Sequence, residues 1–433
     1  MKTFTILLLT TFLSFYTFAQ NKPEVNKKIT SEVSQVAKKM ELAEAFSVID
    51  QIDNETIENL IVLTEIPAPN RMEGDRALAF KEMLEKAGAD SVWIDPEGNV
   101  LGLRNGKVGD KTIVLDAHLD TVFPDGTDVM VKHKGDTLYA PGIGDDTRGL
   151  AMVVAILQAM EATHIETDAH ILFVGTVGEE GLGDLRGVKY IFNESGIKID
   201  SWISIDGGKI GRVNNRALGS VRYKTVFKGK GGHSWGAFGL GNPHHALGMA
   251  INYFTQAASE ITSTPEKITS FNIGRIGGGT SVNSIPFESW MEVDMRSKDP
   301  QELLKIEKVF KESMNRALND YNATNITTPV TLELVPIGLR PSGETSPDQA
   351  LVQRALAASI YFNAEPKLTI GSTNANIPIS KGIPAITIGR GGDGGHGHAL
   401  NEWWLNNNGA EAIKLALLIT VSEAGLSKKI KKK

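Results

Sequence analysis

A histidine and a carboxylate lie two residues apart at the end of an apolar segment that spans residues 114–122. The segment predicts a β-strand, and in an extended chain residues i and i+2 point to the same side, so His118 and Asp120 share a face. A metal-ligating histidine needs a partner for its second ring nitrogen, and a nearby carboxylate can provide one. On its own, however, an H-x-D pair is more often an ordinary polar strand end.

Other residues that can bind metal ions follow later apolar or glycine-rich segments. They stand at the predicted carboxyl ends of strands or in the loops after them: Asp145, Glu179 and Glu180, Asp206, and His398. Open α/β sheets collect their ligands at that edge, so we expect these side chains to meet His118. Two imidazoles and three carboxylates, with one glutamate to spare, suit two divalent ions that share a bridging carboxylate. Zinc fits such ligands, with cobalt or manganese as alternatives.

Asp145 is the expected bridge, because its tight glycine-rich loop lies between the other ligands in the sequence. His118 and Asp206 would complete the coordination of one ion. Glu180 and His398 would complete the coordination of the other ion. This assignment uses every candidate ligand except Glu179.

Glu179 therefore remains beside a ligand without being needed as one. A glutamate in that position can take a proton from a water activated by the metal ions and return it to a leaving amine. That chemistry is amide hydrolysis without a covalent intermediate. Taken singly, Glu179 and Glu180 would more simply be a solvated pair after a strand, and Asp206 a turn former before two glycines.

The length and composition are those of a large globular protein. The 433 residues are enough for two domains, 41% of them are hydrophobic and 22% charged, and the net charge of −6 gives no sign of nucleic-acid binding. Residues 1–20 carry a lysine and then a short apolar run, which predicts a secretory signal peptide rather than a membrane anchor, and residues 428–433 form a basic tail. Because cysteine is absent, any metal site must use histidine and carboxylate ligands.

The order of predicted elements indicates an α/β fold with an inserted second domain. Strands alternate with helices over residues 21–213 and again over 336–427, which predicts a mixed, mostly parallel sheet covered by helices. Residues 214–335 follow the order strand–helix–strand–strand–helix–strand, the βαββαβ pattern of a compact two-layer unit. We therefore expect a discontinuous catalytic metal-binding domain, 21–213 plus 336–427, that carries a lid domain at 214–335.

Five motifs in this order resemble metallopeptidase family 20, the family of peptidase T, carboxypeptidase G, aminoacylase-1 and acetylornithine deacetylase. They are H-x-D at 118–120, G-x-G-D-D at 142–146, G-E-E-G at 178–181, D-G-G at 206–208 and H-x-x-x-E at 398–402. The resemblance covers roughly residues 55–425, and the joint order of the motifs is far more specific than any one of them. His398 is preferred to His396 because only His398 has a glutamate four residues later.

The resemblance implies a zinc-exopeptidase-like fold with a lid, and a role for each motif. It implies metal ligands at His118, Asp145, Glu180, Asp206 and His398. Glu179 becomes the general base, and Asp120 becomes the residue that orients His118. A cis peptide between Asp145 and Asp146 is implied as well.

The lid contributes residues that the resemblance places near the substrate. His233 resembles the family histidine that stabilises the developing oxyanion, often from a partner subunit, although it could also be a plain surface-loop histidine. Asn283 and Arg340 resemble binders of a substrate carboxylate, to which a guanidinium can donate two parallel hydrogen bonds. Arg296 is the next candidate, or else a structural ion-pair partner.

Two residues depart from the family pattern. Thr147 stands where many members carry lysine, and Asn374 stands where an acidic residue is frequent. Neither residue is a ligand, so we expect both to bear on substrate choice more than on catalysis.

The leading interpretation is a secreted or periplasmic di-zinc exopeptidase that hydrolyses di- and tripeptides. An N-acyl-amino-acid deacylase on the same scaffold is the second, and a metal-dependent peptide-binding protein without turnover is the third. A family 28 aminopeptidase uses a similar ligand order, but the 191 residues between Asp206 and His398 leave room for a full lid and favour family 20. We expect no nucleic-acid partner and no membrane span after signal cleavage, and the resemblance suggests a homodimer formed through the lid.

Overall fold

The computed structural model describes residues 23–263, 268–324 and 326–427, so the predicted signal peptide (1–20) and basic tail (428–433) lie outside the described residues. The α-helices within those ranges are α1 Lys27–Ala37, α2 Met40–Gln51, α3 Asp53–Thr64, α4 Gly74–Ala87, α5 Thr147–Ala162, α6 Arg186–Asn193, α7 Pro243–Thr262, α8 Pro300–Asn322, α9 Ala350–Tyr361, α10 Asn376–Ser380 and α11 Gly409–Ala424. Among the described helices, none has both the length and the apolar character needed to cross a bilayer.

The β-strands of the same ranges are mostly short. They are β1 Ser91–Ile94, β2 Val100–Arg104, β3 Thr112–His118, β4 Lys132–Lys134, β5 Thr137–Tyr139, β6 His170–Thr176, β7 Ser201–Ile205, β8 Arg212–Ala217, β9 Gly219–Lys228, β10 Gly232–His233, β11 Thr269–Gly278, β12 Ser284–Ile285, β13 Glu288–Ser297, β14 Thr331–Arg340, β15 Gly343–Glu344, β16 Lys367–Gly371, β17 Ala385–Ile388, β18 Asp393–Gly395 and β19 Trp403–Leu405.

The central sheet has nine strands in the order β1-β2-β6-β3-β7-β17-β8-β15, with β16 paired to β8. Its middle strands β6, β3, β7 and β17 run parallel to one another. Antiparallel pairing occurs toward the edges, where β2 joins β6 and β8 joins β17. The predicted mixed, mostly parallel sheet is therefore confirmed.

Strand β3 shows why this sheet must be covered on both sides. Successive residues enter different cores: Leu115 packs in the larger core with α5 and α11, whereas Val114 packs with Trp202 and the helices α6 and α10. A strand that is buried on both faces carries consecutive apolar residues rather than alternation, and Ile113, Val114 and Leu115 form such a run in β3.

The first described helices belong to the larger core. Residues 23–50 contain α1 and most of α2, and their residues Val33, Leu42 and Ile49 are buried. The backbone N–H of Asn26 donates to Gln353 Oε1 at 2.6 Å, which ties the start of α1 to α9. The apolar faces of α1 and α2 therefore pack as part of the domain that contains the central sheet.

The lid is a four-stranded antiparallel sheet in the order β11-β13-β9-β14, with α7 and α8 packed on one face. Its elements follow the order β9, α7, β11, β13, α8, β14. The predicted boundaries, 214 and 335, both fall inside strands. Residues 214–217 complete β8 of the central sheet, and β14 continues to Arg340 because it keeps its pairing with β9 across a register shift.

The two faces of the lid sheet differ in chemistry. Along β13, Met291, Val293 and Met295 are buried against the helices, and the residues between them, including Asp294 and Arg296, point to the opposite, open face. This alternation presents charged groups to the domain of the central sheet, where Arg222 of the lid contacts the carbonyl oxygen of Gly181.

We expect Phe310→Ala to destabilise the lid by about 3–5 kcal/mol, because the side chain is fully buried and its loss would leave a cavity. Its ring contacts those of Tyr223 and Phe254, with centroids 5.3 and 5.2 Å away. Leu304→Ala is the matched control on the same helix, since Leu304 is 58% exposed. Urea unfolding of both variants checks this, and equal midpoints would contradict the assigned lid core.

Candidate metal centre

Parallel strands bring the predicted ligands to one edge of the central sheet. His118 is the last residue of β3, and its neighbours β6 and β7 end shortly before Glu180 and Asp206. Asp145 lies just before α5, and His398 lies in the loop between β18 and β19. The geometry of an open α/β sheet thus gathers five residues that are far apart in the sequence.

Asp145 lies between the two histidines. Its Oδ1 is 3.1 Å from His118 Nε2, and its Oδ2 is 3.2 Å from His398 Nε2. Glu180 Oε1 lies 2.9 Å from the same nitrogen of His398. One carboxylate therefore faces two separate imidazoles, which is the arrangement that a bridging ligand requires.

The ligand atoms are close enough to share cations. Single atoms of His118, Asp145 and Glu180 all lie within 4.8 Å of one another. Asp206 lines the same cavity, of about 380 Å³, as Asp145, Glu180 and His398. His398 Nε2 meets oxygens of two carboxylates although its ring nitrogen carries one proton at most, so a cation fits this convergence better than a proton does. The nitrogen and oxygen donors suit zinc and similar divalent metals.

The pKa shifts of the candidate ligands also indicate a site that binds cations. Hydrogen bonds to Asp145 and Glu180 raise the pKa of His398 to about 10. Burial lowers the pKa of His118, but its bond to Asp145 and the neighbouring carboxylates outweigh burial and hold this pKa well above the ordinary value. Burial and the charge of Asp145 raise the pKa of Asp206. Protons and metal cations therefore compete for the same atoms.

The peptide bond between Asp145 and Asp146 is cis, as the family resemblance implied.

Asp120 does not hold His118 in the predicted way. His118 Nδ1 contacts the backbone carbonyl oxygen of Asp120 at 2.9 Å, whereas the nearer carboxylate oxygen is 3.7 Å away. The Asp120 carboxylate instead accepts hydrogen bonds from the backbone N–H groups of Glu179 and Glu180, both at 2.8 Å. Asp120 thus orients the ring through its main chain and fixes the loop of the two glutamates through its side chain.

Glu179 lies in the same cavity and is paired with Arg340. Arg340 Nη1 is 3.0 Å from Glu179 Oε1, and Nη2 donates to the Glu179 carbonyl oxygen. Burial raises the pKa of Glu179 to about 8, although the charge of Arg340 opposes this shift. Arg340, predicted to bind a substrate carboxylate, is 4% exposed and uses its guanidinium on Glu179 and Ser372 instead.

The other predicted lid residues divide into two groups. Arg296 lines the cavity. His233 and Asn283 do not line it, and both lie on the exposed β10–β12 ribbon of the lid, where Ser234 N donates to Asn283 O. The structure therefore brings Arg296 and Arg340 to the candidate metal centre but leaves His233 and Asn283 on a different surface.

Two further arginines of the cavity, Arg212 and Arg222, were missed by the sequence analysis. Arg212 Nη1 donates to the backbone carbonyl oxygens of Asp206 and Gly207 at 2.6 and 2.7 Å. Arg222 Nη1 donates to the carbonyl oxygen of Gly181 at 2.5 Å. No motif marks either residue, although the alternation along β9 could have assigned Arg222 to the open face of the lid.

Glu402, the glutamate of the H-x-x-x-E motif, supports the loop before Asp145. Its carboxylate accepts hydrogen bonds from the backbone N–H groups of Gly142 and Gly144 at 2.8 and 2.9 Å. These glycines come directly before Asp145, so Glu402 holds the loop that carries the bridging carboxylate. Burial and the charge of Asp145 raise the pKa of Glu402 to about 7.

The two departures from the family pattern lie beneath the site rather than in the cavity. Asn374 is buried and donates to Asp116 Oδ2 at 2.6 Å and to Thr176 Oγ1 at 2.7 Å. Thr147 donates to Gly142 O at 2.8 Å at the start of α5. Both residues therefore support the sheet edge and do not contact the space where a substrate would lie.

We expect Glu402→Gln to weaken divalent-metal binding by about tenfold or more, because an amide offers one acceptor oxygen where the loop requires two. Calorimetric titration of zinc into metal-free protein checks this. Glu312→Gln is the control, since this glutamate lies on α8 with its side chain 64% exposed. Equal affinities in the two variants would remove the assigned role.

We expect His398→Ala to lose bound metal, whereas His396→Ala should keep it. His396 is exposed, and the described residues supply no side-chain partner for its ring, whereas His398 contacts Asp145 and Glu180. Elemental analysis of the purified variants after metal loading measures the difference. A loss of metal from the His396 variant alone would reverse the choice between the two histidines.

Comparison with known proteins shows the family of this chain. A model of Peptidase family M20/M25/M40 matches residues 114–419. The uncharacterized protein YqjE of Bacillus subtilis (strain 168) is 25% identical over 355 residues, which cover 77% of this chain and 90% of YqjE.

Two solved structures share the fold. Aminopeptidase PepT of Bacillus cereus ATCC 10987 has a TM-score of 0.67 at 20% identity, with 86% of this chain and 98% of that chain covered. The di-peptidase Dug1p of Saccharomyces cerevisiae has a TM-score of 0.68 at 16% identity, with 88% and 98% covered. Because the family model spans well over half of the sequence and the ligand set lies at the expected sheet edge, the chain belongs to Peptidase family M20/M25/M40.

Proposed function

We propose that this chain is an exported exopeptidase that hydrolyses di- and tripeptides with the help of two divalent ions, zinc in the first place. The observation that carries the proposal is the placement of Glu179, a buried carboxylate outside the ligand set, in the cavity that holds Asp145, Glu180, Asp206 and His398. The solved relatives PepT and Dug1p, an aminopeptidase and a di-peptidase, support a peptide substrate.

The two oxygens of Asp145 support two ions rather than one. Asp145, His118 and Asp206 would hold one ion, and Asp145, Glu180 and His398 would hold the other, in keeping with the contacts that Asp145 makes with each histidine. Such ions, when bound, lower the pKa of a water molecule to roughly 7 and polarise a carbonyl group.

Glu179 has the place and the environment of a general base. Its carboxylate takes a proton from the attacking water and returns the proton to the leaving amine. Asp120 keeps the backbone of Glu179 fixed through the hydrogen bond to its N–H group. Arg340 holds Oε1, so the carboxylate is oriented before a substrate arrives. Burial excludes water and strengthens each of these interactions.

His233 suits an oxyanion donor that serves a second copy of the chain. Its Nδ1 accepts hydrogen bonds from the backbone N–H groups of Trp235 and Gly236, both at 3.2 Å, so the neutral ring carries its proton on Nε2. Trp235 and Phe238 beside it are 88% and 89% exposed, and apolar side chains so exposed favour an interface. We therefore propose a homodimer through the lid, with His233 and Asn283 reaching the partner's cavity.

An N-acyl-amino-acid deacylase is the second candidate, because the same groups would cleave an acyl amide and only the cavity wall would select the substrate. A peptide-binding protein without turnover is less well supported, since Glu179 is retained together with all five ligands. Export is proposed on the signal-like sequence of residues 1–20.

The proposal is tested by a hydrolysis screen of di- and tripeptides against N-acyl amino acids, with zinc-loaded protein and with chelator-treated protein. We expect peptide hydrolysis that chelator abolishes and added metal restores. Glu179→Gln should keep its metal content and lose turnover by about a hundredfold or more, because general-base catalysis contributes roughly 10²–10⁴-fold. Faster cleavage of N-acyl amino acids would favour the deacylase, and a fully active Glu179→Gln protein would exclude the mechanism.

A further inference from the structure

Four arginines line the cavity of the candidate metal centre: Arg212, Arg222, Arg296 and Arg340. The acids that form ion pairs with them are few. Arg340 pairs with Glu179, and Arg222 and Arg296 share one carboxylate, that of Asp294. Arg212 donates to the backbone carbonyl oxygens of Asp206 and Gly207, and within the described residues it forms no ion pair with a carboxylate outside the ligand set. Four guanidinium groups thus face two carboxylates outside the metal-ligand set, which leaves two positive charges without an acidic partner.

The bound cations would not remove this excess. Three of the five ligands are carboxylates, Asp145, Glu180 and Asp206, and two divalent ions carry four positive charges. The metal centre with its ligands would therefore carry one net positive charge, or none once a bound water had lost its proton, and so would not cancel the charge of the arginines. A cavity of this kind attracts anions and raises their local concentration.

Arg296 is the arginine best placed to use this charge on a ligand. It lies on the open face of β13, two residues from Asp294, and contacts Asp294 through Nε at 2.7 Å. Within the described parts of the chain, its two terminal nitrogens have no hydrogen-bond partner, and its side chain is 37% exposed. Two parallel N–H groups of one guanidinium match the two oxygens of a carboxylate.

Arg222 lies next to this group on the neighbouring strand. Asp294 and Arg222 are direct cross-strand partners, and Arg222 Nε is 3.2 Å from Asp294 Oδ1. The shared acid holds both guanidinium groups on the same face of the lid and cancels only one of their two charges. In an ordinary surface ion pair each basic side chain has its own acidic partner. Here two guanidinium groups share Asp294, and because both arginines line the cavity, the uncompensated positive charge faces the cavity.

We propose that the cavity selects peptides with an acidic side chain, and that Arg296, supported by Arg222, binds the side-chain carboxylate. The inference rests on the proposed function, in which a short peptide already brings one terminal carboxylate. That terminal group accounts for one of the two spare positive charges. A glutamate or aspartate side chain on either side of the scissile bond accounts for the other.

The test compares peptide pairs that differ by one charge at constant shape: Ala-Glu with Ala-Gln, Glu-Ala with Gln-Ala, and Ala-Asp with Ala-Asn. For zinc-loaded wild-type protein we expect kcat/KM for the acidic member of at least one pair to exceed that of the amide by about tenfold or more. A hydrogen-bonded charge pair is worth roughly 10- to 100-fold. Arg296→Gln should reduce this ratio by about tenfold, and Arg222→Gln should reduce it less.

Arg275→Gln is the matched control. Arg275 lies on the edge strand of the same lid sheet and pairs with Glu292 at 2.9 Å, but its side chain is 65% exposed and does not line the cavity. This variant removes one positive charge from the lid without touching the proposed binding group, so it should keep the wild-type ratio. Hydrolysis of the amide peptide in each pair measures how much an arginine substitution slows the chemical step itself, because that peptide lacks the acidic side chain.

Several outcomes would overturn the proposal. One is equal or faster hydrolysis of the amide peptides by the wild type, and another is an acidic preference that survives in both Arg296→Gln and Arg222→Gln. If Arg296→Gln slows both members of a pair equally, Arg296 serves the terminal carboxylate instead. Calorimetric binding of the same pairs to Glu179→Gln measures the charge preference without turnover. Failure of hydrolysis would thus remove the proposed function, while equal binding of acid and amide would remove this inference.

Discussion

Concentrated negative charge is the central physical constraint on this molecule. The cavity beside β3 holds four carboxylates: Asp145, Glu179, Glu180 and Asp206. Burying such groups without partners is costly, and the fold offsets part of that cost by setting His118 and His398 against Asp145 and by giving Glu179 an arginine. Charge that these partners leave uncompensated would be neutralised by divalent cations. The cations of the proposed function would therefore stabilise the site as well as take part in its chemistry.

The sequence predicted which candidate ligands would lie close together because strand-end geometry is local. His118 closes β3 and Asp206 follows β7 directly, and parallel neighbours must end at the same edge. His398 lies in an irregular loop, which periodicity could not place, and only the spacing to a later glutamate marked it. The structure supplies the physical reason for that spacing: Glu402 is anchored on the loop of Asp145, so the residue four positions earlier is brought to the same centre.

Interactions between distant segments had no signature in the sequence. Asp120 stands two residues from His118 and looked like the partner of its ring, yet its carboxylate binds N–H groups of residues 59 and 60 positions further along the chain. The predicted lid boundary at residue 335 falls inside a strand for a similar reason, because β14 keeps pairing with β9 beyond the residue where its apolar pattern fades. Local sequence pattern and propensity predict which segments form helices and strands. Where the lid sheet ends is set by the pairing between strands, which the local sequence does not reveal.

The contacts between the lid and the catalytic domain converge on the loop that carries Glu179 and the next ligand. Arg340 holds Glu179, Arg222 binds the carbonyl oxygen of Gly181, and Asp184 accepts the N–H of Leu339 at 2.8 Å. All three contacts lie within a few residues of Glu179, so the position of the lid and the position of Glu179 are linked. An anionic substrate that engaged the lid arginines would compete with Glu179 for the guanidinium of Arg340. Under the proposed function, the carboxylate that such competition releases would be the one that accepts the proton, which would couple recognition of the substrate to activation of the base.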